Sequence, residues 1–457
     1  MFIKNNSKNI NKNDLFICTH DSFSDKHDYI NDAIKRKASA VIIDKDLYGL
    51  SVPAIKVGNT NDTYYQIYND FYKKPLSNIV LIGITGTDGK TTVAEMVYQL
   101  LNCFYDTAYI GTNGFKYKNK VIKTKNTTPD LCELFNYFNI CKENNIKFIV
   151  MEASSEGLLH NRCHNIEFNR SIFTNITLDH LNVHKSFKNY LDSKLKLFRQ
   201  TKGISILNRD DRYFNKFRKV CRKYITYGLN KNSSYHFYDI KRIDNFTNFK
   251  LKYKNKIYEI KSPYLGIFNV YNLVSVIALL NTLNIDIYKI IPLINEMKPI
   301  DGRMNLVKFE KFDVVIDYAH TIKATYEILN LFYQRKRGRI ITIVGCAGGR
   351  DKSKRSTIGQ LVCAYSDYVY FTMDDPRYEN PFDIYNDMVV DIKSNNYCYI
   401  KNRKKAIKKA LDEALDNDIV LILGKGKDDY MLVKNKYKKY SDYNVVKSYQ
   451  KSKKYGK

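Results

Sequence analysis

Apolar residues along this chain gather in short runs, each followed by polar or Gly-rich residues. Ile79, Val80, Leu81, Ile82 and Ile84 make one such run, and Val93, Met96, Val97, Leu100, Leu101 and Phe104 then recur at helical spacing. The alternation continues through IKFIVMEAS, RSIFTNIT and the helix-like SFKNYLDSKLKLF. Continuous apolar runs separated by helices predict a mostly parallel sheet covered on both faces. A Lys/Tyr/Asn-rich segment over roughly 229–262 alternates polar and apolar residues, which predicts an antiparallel hairpin excursion. GIFNVYNLVSVIALLNTL reads as a helix entered through Gly266.

The same pattern divides the chain in three. Residues 1–77 read as a small α/β unit, with DLFICT and SAVIID as strands, HDYINDAIKRKA as a helix and KKPLSN as a linker. Residues 78–300 form the central unit. Residues 301–457 contain DVVIDYAH, RIITIVGCAGG, DYVYFTMDDP and DIVLILGKGK, each a β-rich run ending in polar or Gly-rich residues. Ligands of open α/β sheets sit at the carboxyl ends of strands, so this third unit is expected to be a second doubly wound domain with its own crevice. The terminal KSYQKSKKYGK reads as a solvated tail.

Composition narrows the classes. A chain of 457 residues with 44% hydrophobic residues can bury sizeable cores. The formal net charge of +28 comes from lysines spread along the whole chain, and no base-reading module appears, so nucleic acid is not expected as a partner. A basic surface instead favours anionic small substrates. Nine cysteines without a CxxC pair imply neither a disulfide framework nor a zinc ribbon, which fits a reducing cytoplasm. No signal peptide is read at the start, and no apolar run approaches the length of a membrane span.

The densest chemistry lies in NIVLIGITGTDGKTTVAEMV, starting at Asn78. A strand, a Gly/Thr-rich turn and a helix beginning in Gly-Lys-Thr-Thr aim backbone N–H groups at an anion, as in phosphate-binding loops. Lys90 would reach the terminal phosphates and the Thr91 hydroxyl would ligate Mg²⁺. The glycines fall at Gly83, Gly86 and Gly89, with Ile84 where the usual loop has its first Gly. Four further polar residues follow apolar runs or sit on the next helix: Glu152, Asp179, His180 and Lys194. A carboxylate at a strand end beside such a loop suits Mg²⁺.

Together these residues resemble the Mur ligase family, most closely those members that attach the third amino acid to UDP-N-acetylmuramoyl-L-alanyl-D-glutamate. The resemblance runs nearly end to end through ITGTDGKTT, NTTPD, MEASSEGLLHNR, FTNITLDHLNVH with YLDSKLKLF, GIFNVYN, DGRMNLV, VVIDYAHT, GGRDKSKR, DDPR and GKGKDDY. It implies a three-domain architecture with a shortened uridine-side domain, a central ATP-binding domain and a C-terminal Rossmann-like domain that binds the amino acid. It also implies a monomer without membrane insertion that uses ATP and Mg²⁺ to phosphorylate a carboxylate. An incoming amine then displaces the phosphate.

The site residues carried over follow the motifs. Gly86, Thr87, Asp88, Gly89, Lys90, Thr91, Thr92, Asn272, Arg303 and Asp317 match ATP contacts, with His320 in the same DYAH block. Thr91, Glu152, His180 and Lys194 match the metal set, with Lys194 as the lysine that is carbamylated in this family; Lys90, Glu152, His180 and Lys194 are the residues expected to carry catalysis. Ser7, Asn126, Thr127, Thr128, Ser154 and Arg162 match contacts to the UDP-linked muramoyl peptide. Arg350, Asp374, Asp375, Arg377, Gly424 and Asp428 match the amino-acid pocket.

Departures bear mainly on substrate choice. Asp375 stands where meso-diaminopimelate-adding members have Asn, while Arg377 is kept, which favours meso-diaminopimelate over L-lysine. Asn6-Ser7-Lys8 and Ser22-Phe23-Ser24 replace the usual uridine-side residues, and Glu156 replaces a His. A related ligase with a non-UDP substrate, such as a folylpolyglutamate-synthase-like enzyme, and a non-catalytic nucleotide-binding relative stay open as alternatives.

Overall fold

The strand Val80–Thr85 lies inside an eleven-stranded sheet, between Phe168–Phe173 and Phe148–Glu152 and parallel to both. In this computed structural model, residues 2–455 are described apart from Ser22, Asp244 and Asn435. The parallel series continues outward through Thr201–Asn208 and Lys223–Gly228 on one side and Thr107–Gly111 on the other. Antiparallel strands extend both edges. Tyr235–Ile243, Phe246–Tyr253 and Lys256–Ser262 form the excursion predicted over 229–262, and its first strand joins Lys223–Gly228 in parallel. The mostly parallel α/β architecture read from the apolar runs is therefore the observed one. A separate four-stranded parallel sheet, in sequence order, precedes it: Ile3–Lys4, Leu15–Ile17, Ala40–Ile43 and Ala54–Lys56.

The chain divides into two compact units. One comprises Met1–Ile176, Val183–Pro263 and Tyr271–Asn295; the other comprises Thr177–Asn182, Tyr264–Val270 and Glu296–Lys457.

In the second unit a six-stranded sheet runs Asn305–Lys308, Asp313–Asp317, Ile419–Leu423, Ile340–Val344, Tyr368–Phe371, Tyr397–Tyr399, parallel except for its first pair. Side chains alternate between two cores. Val315, Leu421 and Leu423 pack on one face, and Val314, Ile316, Val420 and Ile422 on the other. A sheet buried on both faces is what continuous apolar runs encode. The first unit's helix Phe187–Arg199 starts at a Ser186 cap, whose hydroxyl accepts from Asn189 N–H, and presents Tyr190, Leu191, Lys194, Leu195 and Phe198 inward at i, i+1, i+4 spacing.

The C-terminal segment corrects an expectation. Residues 447–455 of the supposed tail continue a helix, Asp442–Tyr455, whose Val445, Val446 and Tyr449 join the second unit's core. Asp442, fully buried, holds its start in place through bonds of 2.9 and 2.8 Å from the buried Arg403 guanidinium. The basic residues mask this short apolar stripe in the sequence. The last two residues of that segment lie outside the described ones.

Candidate nucleotide and ligase site

The turn after Val80–Thr85 is closed by specific contacts. A Cβ at Gly86 would lie 1.8 Å from Thr174 Oγ1, so only glycine fits there. Gly89, at φ +84°, caps the helix Lys90–Asn102 in a left-handed conformation that favours glycine. Gly83 serves close packing instead. The Leu197 and Phe168 side chains press against it, which lets the helix carrying Lys194 approach the strand. Asn175 braces the loop, its carbonyl accepting from Thr87 N–H at 2.8 Å and its Oδ1 from Asp88 N–H at 3.1 Å.

Lys90 folds back over the loop, and its Nζ donates to the carbonyls of Gly86 (2.9 Å) and Thr87 (2.8 Å). The first-turn N–H groups of the helix behind it lack intrahelical acceptors and point toward the loop, the arrangement that receives phosphate. Asn272, expected at adenine, lies nearly buried with its Oδ1 against Gly89.

Glu152 ends its strand fully buried and is a hub of donors. Its Oε2 accepts from Thr91 Oγ1 at 2.8 Å and Thr112 Oγ1 at 3.3 Å; its Oε1 accepts from Tyr109 OH at 2.5 Å and Thr112 N–H at 2.9 Å. Tyr109 and Thr112 were not legible as site residues: one sits inside an apolar strand and the other in a turn. A buried carboxylate beside a threonine hydroxyl is a hard-oxygen donor set of the kind Mg²⁺ takes. Lys194 is also buried; its Nζ donates to the Gly86 carbonyl at 2.6 Å and lies 4.5 Å from the centre of the Tyr190 ring. Tyr190 OH in turn bonds Thr87 Oγ1 at 2.8 Å. Loop, Glu152 and Lys194 are thus one connected arrangement.

Beside it, Thr128 Oγ1 donates to the Glu152 carbonyl and lies 2.9 Å from Ser154 Oγ, while Arg162 Nη1 donates to the Thr128 carbonyl at 3.0 Å. Thr127 Oγ1 meets Thr112 Oγ1 at 3.1 Å. Asn126 is exposed, and Ser7 is buried in the first sheet's layer, in a short turn capped by Asn6. In the Ser22-Phe23-Ser24 segment Ser22 lies outside the described residues. Asp21 accepts from the N–H groups of Phe23 and Ser24 and meets His160 Nδ1 at 2.9 Å.

The second unit holds the remaining predicted residues. His180 lies with Asp179, whose carboxylate is 3.4 Å from His180 Nε2, 3.2 Å from Lys354 Nζ and 3.9 Å from His320 Nε2. Burial pushes the Asp179 carboxyl up, but the His180, Lys354 and His320 charges outweigh burial and hold it well below the usual range. Asp317 accepts from Met304 N–H and Ala319 N–H, both at 2.7 Å, and so anchors the 301–304 turn; Arg303 stacks 4.6 Å over Tyr318.

Asp374, Asp375 and Asp428 converge on a lysine that sequence reasoning passed over. Lys425, fully buried inside the GKGK run, lies 2.8 Å from Asp375, 3.6 Å from Asp374 and 3.7 Å from Asp428. Asp375 Oδ1 also accepts from Leu432 N–H at 2.9 Å. The extra negative charge of Asp375 is thus met inside the protein by Lys425. Three carboxylates around Lys425 leave excess negative charge there, even with Arg303 also acting on Asp428. Asp428 relieves it: burial, opposed by Lys425 and Arg303 and reinforced by Asp374 and Asp375, raises its carboxyl to about 7. A Cβ at Gly424 would press on Asp374 at 2.6 Å. Arg377 reaches the Gly349 carbonyl at 3.4 Å, next to the half-exposed Arg350. Among the described residues no group of three or more His, Cys, Asp or Glu forms a metal cluster by itself, and no helix is long and apolar enough to cross a membrane.

A parallel strand, a glycine-braced loop opening a helix at Lys90-Thr91, and a carboxylate on the adjacent strand end define an α/β protein of the P-loop nucleotide-binding class. The comparisons agree: residues 84–280 match the Mur ligase middle domain and residues 302–426 the Mur ligase, glutamate ligase domain. The chain belongs to the Mur ligase family. It is 36% identical to the UDP-N-acetylmuramoyl-L-alanyl-D-glutamate–2,6-diaminopimelate ligase 1 of Clostridium acetobutylicum, over 97% of this chain and 93% of that protein. A solved UDP-N-acetylmuramoyl-L-alanyl-D-glutamate–2,6-diaminopimelate ligase superposes with a TM-score of 0.68 at 25% identity, covering 99% of this chain and 95% of that one. The MurF ligase of Thermotoga maritima, solved with ADP, shares the fold at 19% identity and a TM-score of 0.62, covering 93% and 94%.

Proposed function

We propose that this chain is an ATP-dependent ligase that joins meso-diaminopimelate to UDP-N-acetylmuramoyl-L-alanyl-D-glutamate, acting as a cytoplasmic monomer in peptidoglycan precursor synthesis. The three parts of the chain, 1–77, 78–300 and 301–457, are assigned to the UDP substrate, ATP and the amino acid. The observation that carries the reading is the connected arrangement of Lys90, Thr91, Glu152 and Lys194 around one loop, in a chain whose relatives bear that ligase's name.

The reaction fits these groups. The glutamate carboxylate of the acceptor attacks the γ-phosphorus of ATP, and ADP leaves. The amine then attacks the acyl carbon, the C–O bond to phosphate breaks, and an amide, phosphate and a proton result. Lys90 neutralises phosphate charge, and the helix N-terminus behind Gly89 holds the phosphates together with Gly86, Thr87, Asp88 and Thr92. Asn272, Arg303 and Asp317 are assigned to the nucleotide. Thr91 and Glu152 would hold Mg²⁺, with His180 and a carbamate on Lys194 as further ligands; Mg²⁺ supplies charge neutralisation between ATP and the carboxylate. Ser7, Asn126, Thr127, Thr128, Ser154 and Arg162 are assigned to the muramoyl peptide. Arg350, Asp374, Asp375, Arg377, Gly424 and Asp428 are assigned to the amino acid, and the Arg377 guanidinium suits its distal carboxylate.

An omission experiment tests the reading. Phosphate release from ATP and Mg²⁺ should require both the UDP-muramoyl dipeptide and an amino acid. Release that ignores either would contradict it.

A further inference from the structure

The Glu152 carboxylate has two unlike oxygens. Oε1 takes a main-chain N–H, from Thr112 at 2.9 Å, and the Tyr109 hydroxyl at 2.5 Å. Oε2 takes only threonine hydroxyls, from Thr91 at 2.8 Å and Thr112 at 3.3 Å. An N–H stays where the backbone aims it, whereas a hydroxyl turns and has lone pairs of its own to offer. Tyr109 is as fully buried as Glu152, and its hydroxyl is held in turn by Asn113 N–H at 3.2 Å. Thr112, by contrast, is exposed and meets Thr127 Oγ1 at 3.1 Å. The Oε1 side is therefore sealed inside the protein, and the Oε2 side is lined by rotatable oxygens next to solvent.

Strand pairing brings the tyrosine there. Tyr109 stands beside Val150 in the parallel ladder, and Val150 and Glu152 share one face, so the phenol spans one diagonal step to the carboxylate. Gly111 leaves the room: a Cβ there would lie 2.3 Å from Glu152 Oε1 and 2.5 Å from the Tyr109 hydroxyl. Glu95, one turn beyond Thr91 on the helix Lys90–Asn102, anchors the same segment. It accepts from Asn113 Nδ2 at 2.7 Å and from Lys116 Nζ at 2.5 Å, and that ammonium lies 5.1 Å from the Tyr109 ring centre. A phenylalanine would bury the same ring; what the hydroxyl adds is its bond to Glu152.

We infer that Tyr109 is the positioning residue for Glu152. With Thr112 N–H it occupies Oε1, and so it presents Oε2, beside the Thr91 hydroxyl, as the carboxylate oxygen that takes the divalent cation. The inference rests on the cation proposed at Thr91 and Glu152. A carboxylate fixed at one oxygen offers one donor in one direction, which suits a small cation with strict geometry. Without the phenol the group is freer to turn and to offer both oxygens.

The test reads the cation rather than turnover, in the intact protein. Mn²⁺ is titrated into wild type, Tyr109→Phe, Glu152→Gln and the double variant, each with one equivalent of ADP. Bound ion is counted from the loss of the free-ion EPR signal, and ADP affinity is measured separately in EDTA. Tyr109→Phe should weaken Mn²⁺ binding about tenfold and leave ADP affinity in EDTA within about twofold, as loss of a group that orients a metal ligand does. The double variant should bind Mn²⁺ no more weakly than Glu152→Gln, because Tyr109 acts through that carboxylate. If Tyr109→Phe is poorly folded, Tyr109→4-fluorophenylalanine, which fills the hydroxyl's place without donating, is judged by the same limits. Mn²⁺ affinity that Glu152→Gln lowers and Tyr109→Phe leaves unchanged overturns the role of Tyr109 and leaves the cation site standing. An additive loss in the double variant, or an equal fall of ADP affinity in EDTA, does the same. Mn²⁺ affinity that Glu152→Gln also leaves unchanged overturns both.

Discussion

Thr91 Oγ1 donates to Glu152 Oε2 at 2.8 Å, and both residues are buried. This bond joins the first turn of the helix Lys90–Asn102 to the end of the strand Phe148–Glu152. Replacing Glu152 by Gln puts an amide where four donors converge, two on each oxygen, so the two donors that face the new NH2 lose their acceptor. The variant should be less stable by about 1–3 kcal/mol and should lose ligase turnover by roughly 100-fold or more. Denaturation midpoints and phosphate release measure the two effects.

Lys90 is poised differently. Its Nζ rests on the carbonyls of Gly86 and Thr87, so it holds the loop in addition to the phosphate contact proposed for it. Lys90→Met should keep the fold, because the side chain is only partly buried. Nucleotide affinity should fall about tenfold or more, as expected when a charge-assisted contact is lost. Calorimetric titration with ADP and Mg²⁺ checks it.

The cluster around Lys425 gives a pH signature. The folded Asp428 carboxyl is raised to about 7 from an ordinary 3.8, so the folded state binds more protons than the unfolded one between these values. Stability from this group is therefore fully present below the ordinary value and is lost as pH rises toward 7. Asp428→Asn should flatten the decline in stability across that window, and its advantage over wild type should be largest above pH 7. Chemical denaturation at a series of pH values reads this directly. Lys425→Met should do the reverse and destabilise by about 3–5 kcal/mol, because it leaves the buried Asp374 and the part-buried Asp375 and Asp428 without their buried cation.

Much of this was legible in the chain. The apolar runs gave the parallel sheets because strands buried on both faces need no alternation. The glycine spacing located the loop, although only the structure separates Gly83, which admits a helix, from Gly86 and Gly89, which shape the turn. What the sequence hid were partners rather than sites. Tyr109 lies in a run indistinguishable from core, and Lys425 is one lysine among many. Their roles depend on which strands become neighbours, and a linear pattern does not carry that. The C-terminal helix was hidden for the opposite reason, since its basic face outweighs three apolar positions.

Asp375 departs from the usual Asn, but its Oδ1 is already committed to Lys425 and Leu432 N–H. Asn at this position keeps a carbonyl oxygen for both bonds. Asp375→Asn should therefore change the KM for meso-diaminopimelate by less than about threefold, a shift below about 1 kcal/mol. Arg377→Ala should raise that KM far more, because the proposed bidentate partner is gone.

The central claim is that the chain forms an amide between a UDP-linked muramoyl dipeptide and meso-diaminopimelate. The most direct measurement is a competition assay: one reaction holding ATP, Mg²⁺, the UDP-muramoyl dipeptide and equal concentrations of meso-diaminopimelate, L-lysine and other amino acids, with products resolved by mass. The account predicts the meso-diaminopimelate adduct as the dominant product, with one phosphate released per amide formed. A dominant lysine adduct would contradict the assignment of Arg377, and no adduct with any amino acid would contradict the ligase itself.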